Sequence, residues 1–237
     1  MKFSIVIPAR DEERHLPACL RSIAEAARPF PAQVETVVVV NRCTDGTERI
    51  ARDFGARVVK DDSRCIAQLR NAGARAASGE VLVTLDADSV ISPNLLSKVG
   101  AALEDERVIG GAVNIKLERL SLGLVCTLVA MLPILIALRI SGGSFWVRRE
   151  VFLALGGFDE RRRAFEDIDF ILRLKRYARA WHKRTRILLG AHIVTSCRKF
   201  DRYGDWYLLR HPIKMLSMLL GREDRKFQDE LWYDFRR

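Results

Sequence analysis

The sequence predicts an α/β fold in which a mostly parallel sheet is flanked by helices. Short runs of apolar, often β-branched residues alternate with segments whose apolar residues recur every three or four positions. This alternation is typical of a parallel sheet with helices on both faces. The 237 residues are 49% hydrophobic and 30% charged, which indicates a globular chain with a sizeable core.

The alternation is most regular in the first half of the chain. Four strands are predicted there, at residues 3–8, 34–40, 58–59 and 81–85. A helix is predicted after each strand, beginning near residue 12, after Gly46, and near residues 63 and 93. Pro29 and Pro31 end the first helix, and Pro93 suits a first helical turn because its φ is fixed and no N–H is needed there.

The second half is less regular, because the alternation fades near residue 107. A strand is predicted over residues 108–115, and a strand end with a short helix over residues 148–155. Residues 165–177 form an amphipathic pattern with three acids, Glu166, Asp167 and Asp169, in its first turn. The helix dipole favours negative charge at that position, so capping explains one acid but not a preference for three.

Residues 120–138 contain no charged side chain. Their length approaches what a bilayer-spanning helix needs, although Ser121, Thr127 and Pro133 weaken the pattern. Three interpretations stay open: a buried helix, a helix in a membrane interface, and a true span. We favour the first two, because a single span would place the two halves of the chain on opposite sides of a membrane.

The net charge of +10 is distributed unevenly. Residues 1–118 hold 16 Lys and Arg against 17 Asp and Glu, whereas residues 119–237 hold 24 against 13. The densest basic run extends from Arg173 to Arg186. It fits a surface that binds phosphates, an anionic membrane or nucleic acid, and it fits a solvated helix face equally well.

The five cysteines form no Cys-x-x-Cys pair, which favours a reduced, cytoplasmic setting without a zinc site or disulfide framework.

The ends of three predicted strands carry residues that suit phosphates and cations. Asp86 and Asp88 end the fourth strand, and polar segments at residues 8–12 and 41–47 end the first and second. In an open parallel sheet these ends share one edge, where ligands bind. Paired carboxylates there suit Mg²⁺ or Mn²⁺ carrying a phosphate-bearing substrate, although Asp-x-Asp also commonly just ends a strand.

Five segments in order resemble the family 2 glycosyltransferases, which have the GT-A fold of nucleotide-diphospho-sugar transferases. The segments are SIVIPARDEE, VVVVNRCTDGT, RNAGARAASGEVLVTLDAD, GGSFWVRREVFLALGGFDE and AFEDIDF. The resemblance implies a Rossmann-like, mostly parallel sheet with a smaller acceptor-side region. It implies a GT-A domain over residues 1–190, with a nucleotide-sugar-binding half at 1–106 and an acceptor and catalytic half at 107–190. Residues 191–237 are then a basic helical extension.

The resemblance also implies roles for individual residues. The expected donor-binding residues are Pro8, Arg10, Glu12, Asn41, Asp45, Arg70, Asp86 and Gly143. Asp88 and Asp86 are expected to hold Mg²⁺ or Mn²⁺, with His192 as a less favoured extra ligand. Asp167 is expected to be the catalytic base, and Glu166 to orient the base or the acceptor.

Several of these residues also have a structural interpretation. Glu12 is open to a helix-capping role, and Asp45 to a role in a turn or cap. Arg70 is equally interpretable as one side of an exposed ion pair. Phe145 and Trp146 either line a sugar site or, as is commoner for such aromatic residues, pack in the core.

The function implied is a metal-dependent, inverting transfer of sugar from a UDP- or GDP-sugar to a hydroxyl acceptor, lipid-linked or part of a cell-envelope glycan. No nucleophile with an adjacent base stands out, so single displacement is expected. The alternatives are a nucleotidyltransferase, whose glycine-rich loop is absent, and a basic module for membrane or nucleic acid, which leaves the acids unexplained. We therefore expect a cytoplasmic enzyme that binds no nucleic acid and touches an anionic inner membrane face through residues 120–140 and its basic C-terminal region.

Overall fold

The computed structural model describes residues 1–30, 32–138, 144–162 and 165–211, and their side chains except those of 134–138. The strands in this part of the chain are β1 (Phe3–Ala9), β2 (Val34–Val40), β3 (Arg57–Lys60), β4 (Val81–Thr84), β5 (Ser89–Ile91), β6 (Val108–Leu117), β7 (Phe145–Arg148) and β8 (Arg184–Thr195). The helices there are α1 (Leu16–Ala27), α2 (Thr47–Asp53), α3 (Ile66–Ala76), α4 (Leu95–Leu103), α5 (Leu122–Leu138), α6 (Arg149–Ala154), α7 (Glu166–Ala180), α8 (Arg198–Tyr203) and α9 (Tyr207–Arg210).

The strands of the described residues form one sheet in the order β3-β2-β1-β4-β7-β6-β8-β5. The neighbours β3, β2, β1 and β4 are mutually parallel, so their carboxyl ends lie along one edge. β7 runs antiparallel between β4 and β6, and it joins the two halves of the chain within the sheet. The predicted α/β fold, with a mostly parallel sheet flanked by helices, is confirmed.

The core lies on both faces of the sheet. Successive side chains of a strand point to opposite faces. Ile5 and Ile7 of β1 therefore join the apolar cluster with α1, and Val6 joins the cluster with α3 on the other face. Gly73 of α3 permits this close packing, because a Cβ there would lie 2.3 Å from Cγ1 of Val6. The first strands are thus held rigidly behind the edge that carries the polar residues.

The structure differs from the sequence prediction at several boundaries. β5 and β8 were not predicted, because β5 is only three residues long and β8 begins inside the basic run that suggested a helix face. α1 begins at Leu16 instead of near Glu12. The division expected between residues 190 and 191 lies inside β8, which pairs with β6 as far as Thr195.

Most of the described residues of helix α5 are exposed, so the buried-helix interpretation is wrong for this part of the helix. Leu122 and Val129 are 72% and 62% exposed, whereas Leu124 and Thr127 are buried. Among the helices that the structure describes, none combines the length and the apolar character needed to cross a membrane. The interfacial interpretation stays a prediction.

The start of α5 is tied to the segment that follows β8. Arg119 donates from Nε to Asp201 of α8 at 2.9 Å, and from its two Nη atoms to Asp205 at 2.8 and 3.1 Å. Gly123 packs against Asp205, where a Cβ would lie 3.0 Å from that residue. These contacts fix α5 relative to α8.

Candidate active site

The loops after β1 and β2 are bound to each other at the polar edge of the sheet. The backbone N–H of Thr44 donates to Asp11 at 2.7 Å, and that of Gly46 donates to Glu13 at 2.9 Å. In return, the backbone N–H of Glu13 donates to Asp45 at 3.0 Å. The two loops predicted to bind the donor therefore form one preorganised surface.

Two predicted donor residues bind backbone groups of neighbouring loops. Asn41 is buried, and its amide nitrogen donates to the carbonyl oxygens of Asp61 at 2.6 Å and Ser63 at 2.9 Å. Asp45 accepts from the backbone N–H groups of Thr47 at 2.9 Å and of Glu13, as a turn and cap residue does. Against the opposing effect of burial, the hydrogen bond from the Thr47 hydroxyl and these backbone bonds hold the pKa of Asp45 below its usual range. A direct contact of either residue with the donor stays a prediction.

The remaining residues of the first loop divide by burial. Pro8 is buried within β1, and Arg10 is partly exposed just beyond the strand. Glu12 is only 2% exposed, and both of its carboxylate oxygens accept from Arg198. Its side chain is therefore directed to an ion pair, and the helix-cap interpretation of that side chain is wrong.

Arg70 joins the two halves of the site. Its Nη2 donates to Oδ1 of Asp86 at 2.8 Å, and its Nη1 donates to Oε1 of Glu166 at 2.6 Å. The arginine is 4% exposed, so its interpretation as an exposed ion pair is wrong. One buried guanidinium thus brings the Asp-x-Asp segment of the first half next to the acidic helix terminus of the second.

The surroundings of Arg70 fix its guanidinium in place. Its Cζ lies 5.6 Å from the centre of the Phe158 ring, within the range of a cation–π contact. The next residue, Asn71, donates to the carbonyl oxygen of Phe158 and accepts from its N–H, both at 2.9 Å. The chain reaches Phe158 through Gly157, whose φ of +71° suits glycine. Packing and backbone bonds therefore position the bridge.

Burial changes the protonation of the acidic helix terminus. It raises the pKa of Glu166, and the negative charges of Asp167 and Asp86 raise it further, whereas Arg70 opposes the shift. Burial likewise raises the pKa of Asp167, again against the effect of Arg70. The same carboxylates raise the pKa of Arg70, so this guanidinium stays charged. The site thus holds carboxylates that accept protons more readily than exposed ones.

The second acid of the Asp-x-Asp pair faces a different arginine. Oδ2 of Asp88 lies 3.0 Å from Nη2 of Arg198, the same guanidinium that binds Glu12. The sequence alone assigned no role to Arg198. The local signal that could have marked it is the basic pair Arg198-Lys199, which follows the last residue of β8, Thr195, after Ser196 and Cys197.

The chemistry of the acidic residues fits a divalent cation. The two arginines contact four described carboxylates, those of Glu12, Asp86, Asp88 and Glu166, and the charge of Asp167 also acts on Arg70. Carboxylate oxygens are the ligands that Mg²⁺ and Mn²⁺ prefer. The side chain of Asp86 is 43% exposed and therefore accessible to a ligand.

The remaining candidate residues have different outcomes. Gly143 is outside the described residues. The ligand atoms of His192 do not group with those of Asp86 and Asp88; within the described ranges, the one such cluster of three is Asp11, Cys43 and Asp45. Asp169 pairs with Arg173 at 2.7 Å, away from Arg70.

The two aromatic residues proposed for a sugar site are core residues. Phe145 and Trp146 of β7 are 2% and 0% exposed. Both sit in the strand between β4 and β6, covered on both faces of the sheet. The sugar-lining interpretation is therefore wrong, and core packing is confirmed.

Comparison with known proteins decides the family. Residues 4–153 match the family model described as glycosyl transferase family 2. The chain belongs to this family. A relative named as an uncharacterized glycosyltransferase from Haemophilus influenzae is 28% identical over 185 residues, which are 72% of this chain and 61% of the relative. The chain thus spans less than two thirds of that protein's length, and 43% of a mycobacterial relative.

Solved glycosyltransferase structures share the fold. TarS from S. aureus, in complex with UDP-GlcNAc, superposes with a TM-score of 0.66 at 17% identity, over 98% of this chain and 70% of that one. Glucosyl-3-phosphoglycerate synthase from Mycobacterium tuberculosis, in complex with Mn²⁺, UDP-glucose and phosphoglyceric acid, gives 0.65 at 24% identity, over 94% and 81%. The predicted GT-A fold of this family 2 glycosyltransferase is confirmed.

Proposed function

We propose that this family 2 glycosyltransferase moves a sugar from a nucleotide-diphospho-sugar to a hydroxyl acceptor, with inversion and with Mg²⁺ or Mn²⁺. The observation that carries the proposal is the Arg70 bridge, which joins Asp86 of the donor half to Glu166 of the catalytic half. An acceptor group at Asp167 would therefore lie beside a donor bound at the Asp-x-Asp segment. The complexes of the two fold relatives with UDP-sugars favour a UDP-sugar over a GDP-sugar.

Asp167 is the base in this proposal. It takes the proton of the acceptor hydroxyl as the oxygen attacks the anomeric carbon, while the bond to the diphosphate breaks. Burial raises its pKa, which makes the carboxylate a better proton acceptor than an exposed aspartate. Glu166, held by Arg70 at 2.6 Å, fixes the position of the helix terminus that carries the base.

The donor half supplies binding and charge. Asp88 and Asp86 would hold the divalent cation, which when bound neutralises the charge that builds on the departing nucleoside diphosphate. The linked loops after β1 and β2 would form the surface for the nucleoside, with Arg10 and Asp45 partly exposed there and the buried Pro8 and Asn41 supporting it. We divide the chain accordingly into a donor half at residues 1–106 and a catalytic half from residue 107.

The first test is nucleotide binding by thermal shift. UDP with Mn²⁺ is expected to raise the Tm by mass action, more than UDP or Mn²⁺ alone, with GDP run in parallel. Asp88→Asn is expected to remove the joint effect, because it removes a proposed metal ligand. Asp105→Asn, at a partly exposed acid paired with Arg107, is the control and should leave the shift unchanged. No joint shift with either nucleotide in the unmodified protein would contradict the proposal.

The acceptor side is proposed to rest on an anionic membrane, with a lipid-linked or cell-envelope acceptor. The exposed apolar residues of α5, including Leu122, Val129 and Leu132, support a contact with lipid. The basic excess of residues 119–237 supports attraction to anionic headgroups. Cytoplasmic location stays a prediction.

Flotation with vesicles of anionic phospholipid tests the membrane contact. The protein is expected to float at low salt, and Val129→Asp to reduce the floated fraction several-fold because it places a charge on the apolar face of α5. Leu189→Asp on β8 is the control, since Leu189 is 81% exposed outside α5. An unmodified protein that stays unbound at low salt would rule the contact out.

A further inference from the structure

Arg198 lies where the donor site meets the C-terminal part of the described chain. Its Nη1 and Nη2 donate to the two carboxylate oxygens of Glu12 at 2.8 and 2.7 Å. The same Nη2 lies 3.0 Å from Oδ2 of Asp88. Glu12 is 2% exposed, whereas the side chain of Arg198 is 28% exposed. One guanidinium is therefore shared between a buried carboxylate that fixes it and the 15% exposed side chain of Asp88, the carboxylate proposed to bind metal.

We propose that Arg198 competes with the divalent cation for Asp88, and that it donates to the donor diphosphate once the cation has taken that carboxylate. The inference rests on the proposed function, because it uses Asp88 as a metal ligand. Arg198, to which the sequence assigned no role, would thereby link the binding of the metal to the binding of the nucleotide.

The competition follows from the shared oxygen. The Arg198 guanidinium and a divalent cation both bind the lone pairs of Asp88. When both bind this one carboxylate, two positive groups lie close together and repel each other. A metal ion that binds Asp88 therefore weakens the contact with Arg198. Mg²⁺ and Mn²⁺ alone are therefore expected to bind such a site weakly, because the cost of displacing the arginine offsets part of their binding free energy.

The bidentate contact with Glu12 decides where the displaced guanidinium goes. Two parallel N–H···O bonds hold it in position, so losing Asp88 does not release the side chain. The N–H of Nη2 that faced Asp88 would then be available to another acceptor beside that carboxylate. A phosphate oxygen of the donor would suit it, because guanidinium groups bind phosphate well.

Arg70 serves as an internal contrast to Arg198. Arg70 is 4% exposed and lies against the ring of Phe158, with Glu166 on its other side. It is therefore a fixed positioning residue, whereas Arg198, held by Glu12, keeps the exposure that contact with a bound diphosphate requires. A nucleoside diphosphate gives Arg198 a hydrogen-bond acceptor in place of the Asp88 carboxylate that the cation takes. The two ligands consequently strengthen each other's binding.

Calorimetric titration of the full chain tests the inference. Mn²⁺ alone, UDP alone and UDP in saturating Mn²⁺ are titrated into the unmodified protein and into Arg198→Gln, with GDP as a parallel probe. We expect Arg198→Gln to bind Mn²⁺ alone about tenfold more tightly, since the competitor is gone. It should bind UDP in saturating Mn²⁺ at least about tenfold more weakly, since a charge-assisted donor is lost.

The matched control is Arg202→Gln, which removes the same charge from an exposed position on the same helix. It should change neither affinity. Arg198→Lys keeps the charge but not the bidentate fork, and is expected to retain weak Mn²⁺ binding while losing part of the UDP affinity. If Arg198→Gln unfolds because Glu12 is left unpaired, the double variant Glu12→Gln, Arg198→Gln replaces it, and the Mn²⁺ titration is read there.

The outcomes separate the two proposals. Unchanged or weaker Mn²⁺ binding by the arginine variant, with UDP·Mn²⁺ binding intact in the unmodified protein, overturns the competition and leaves the proposed function standing. Unchanged UDP affinity overturns the diphosphate contact alone. An unmodified protein that binds neither UDP nor GDP with Mn²⁺ overturns the proposed function and the diphosphate contact together, while the Mn²⁺ titration still decides the competition.

Discussion

Asp167→Asn is expected to lower the rate of sugar transfer by about 10²- to 10⁴-fold, the range that a general base contributes. The amide keeps the size and position of the side chain but does not accept the acceptor proton. Binding of UDP with Mn²⁺ should change little, because the contacts of the donor half are left in place. Transfer assays and calorimetric titration of the same preparation measure the two effects separately.

The control is Asp169→Asn, an acid in the same helical turn that pairs with Arg173. It should retain most of the transfer activity. The pH profile adds an independent readout, because the base must be unprotonated to work. Since the pKa of Asp167 is raised, activity should fall on the acid side at a pH above the usual aspartate range of about 3.9. Equal turnover by Asp167→Asn and the unmodified protein would show that another group is the base.

Arg70→Met is expected to lower the free energy of unfolding by about 3 kcal/mol, because removing one partner leaves buried Glu166 without its counter-charge. Methionine keeps much of the apolar contact of the arginine stem with its neighbours. Raising the pH through the already raised pKa of Glu166 should deepen the loss, since ionisation of an unpaired buried carboxylate is unfavourable. Urea denaturation at two pH values measures both effects.

Arg75→Met on the same helix α3 is the control for this change. Arg75 is largely exposed and lies 3.6 Å from Glu160, so its loss should alter stability by less than about 0.5 kcal/mol. A comparable loss from the two substitutions would mean that the Arg70 bridge adds nothing beyond a surface ion pair.

The sequence predicts well those features that depend on local pattern. β2 matches its predicted bounds because Val34–Val40 combines β-branched residues with clear turn signals on both sides. The position of Asp86 and Asp88 after a buried strand is predicted equally well, since a strand end follows from an abrupt change in polarity.

Features that depend on distant contacts were not predictable in this way. Arg198 acquires its role from Glu12 and Asp88, and only the pairing of β8 with β6 and β5 brings these elements together. The exposure of α5 and the burial of Trp146 are likewise set by neighbouring elements. The local sequence of an uncharged helix or of an aromatic pair does not distinguish side chains that face solvent, lipid or the core.

The contact between Glu12 and Arg198 joins residues 186 positions apart. During synthesis on the ribosome, the first strands and their loops emerge long before the arginine that neutralises Glu12. A nascent chain that has produced β1 to β4 therefore carries Glu12 and Asp88 before the arginine that contacts both carboxylates. This edge of the sheet is completed late in translation, when β8 has docked and Arg198 has left the exit tunnel.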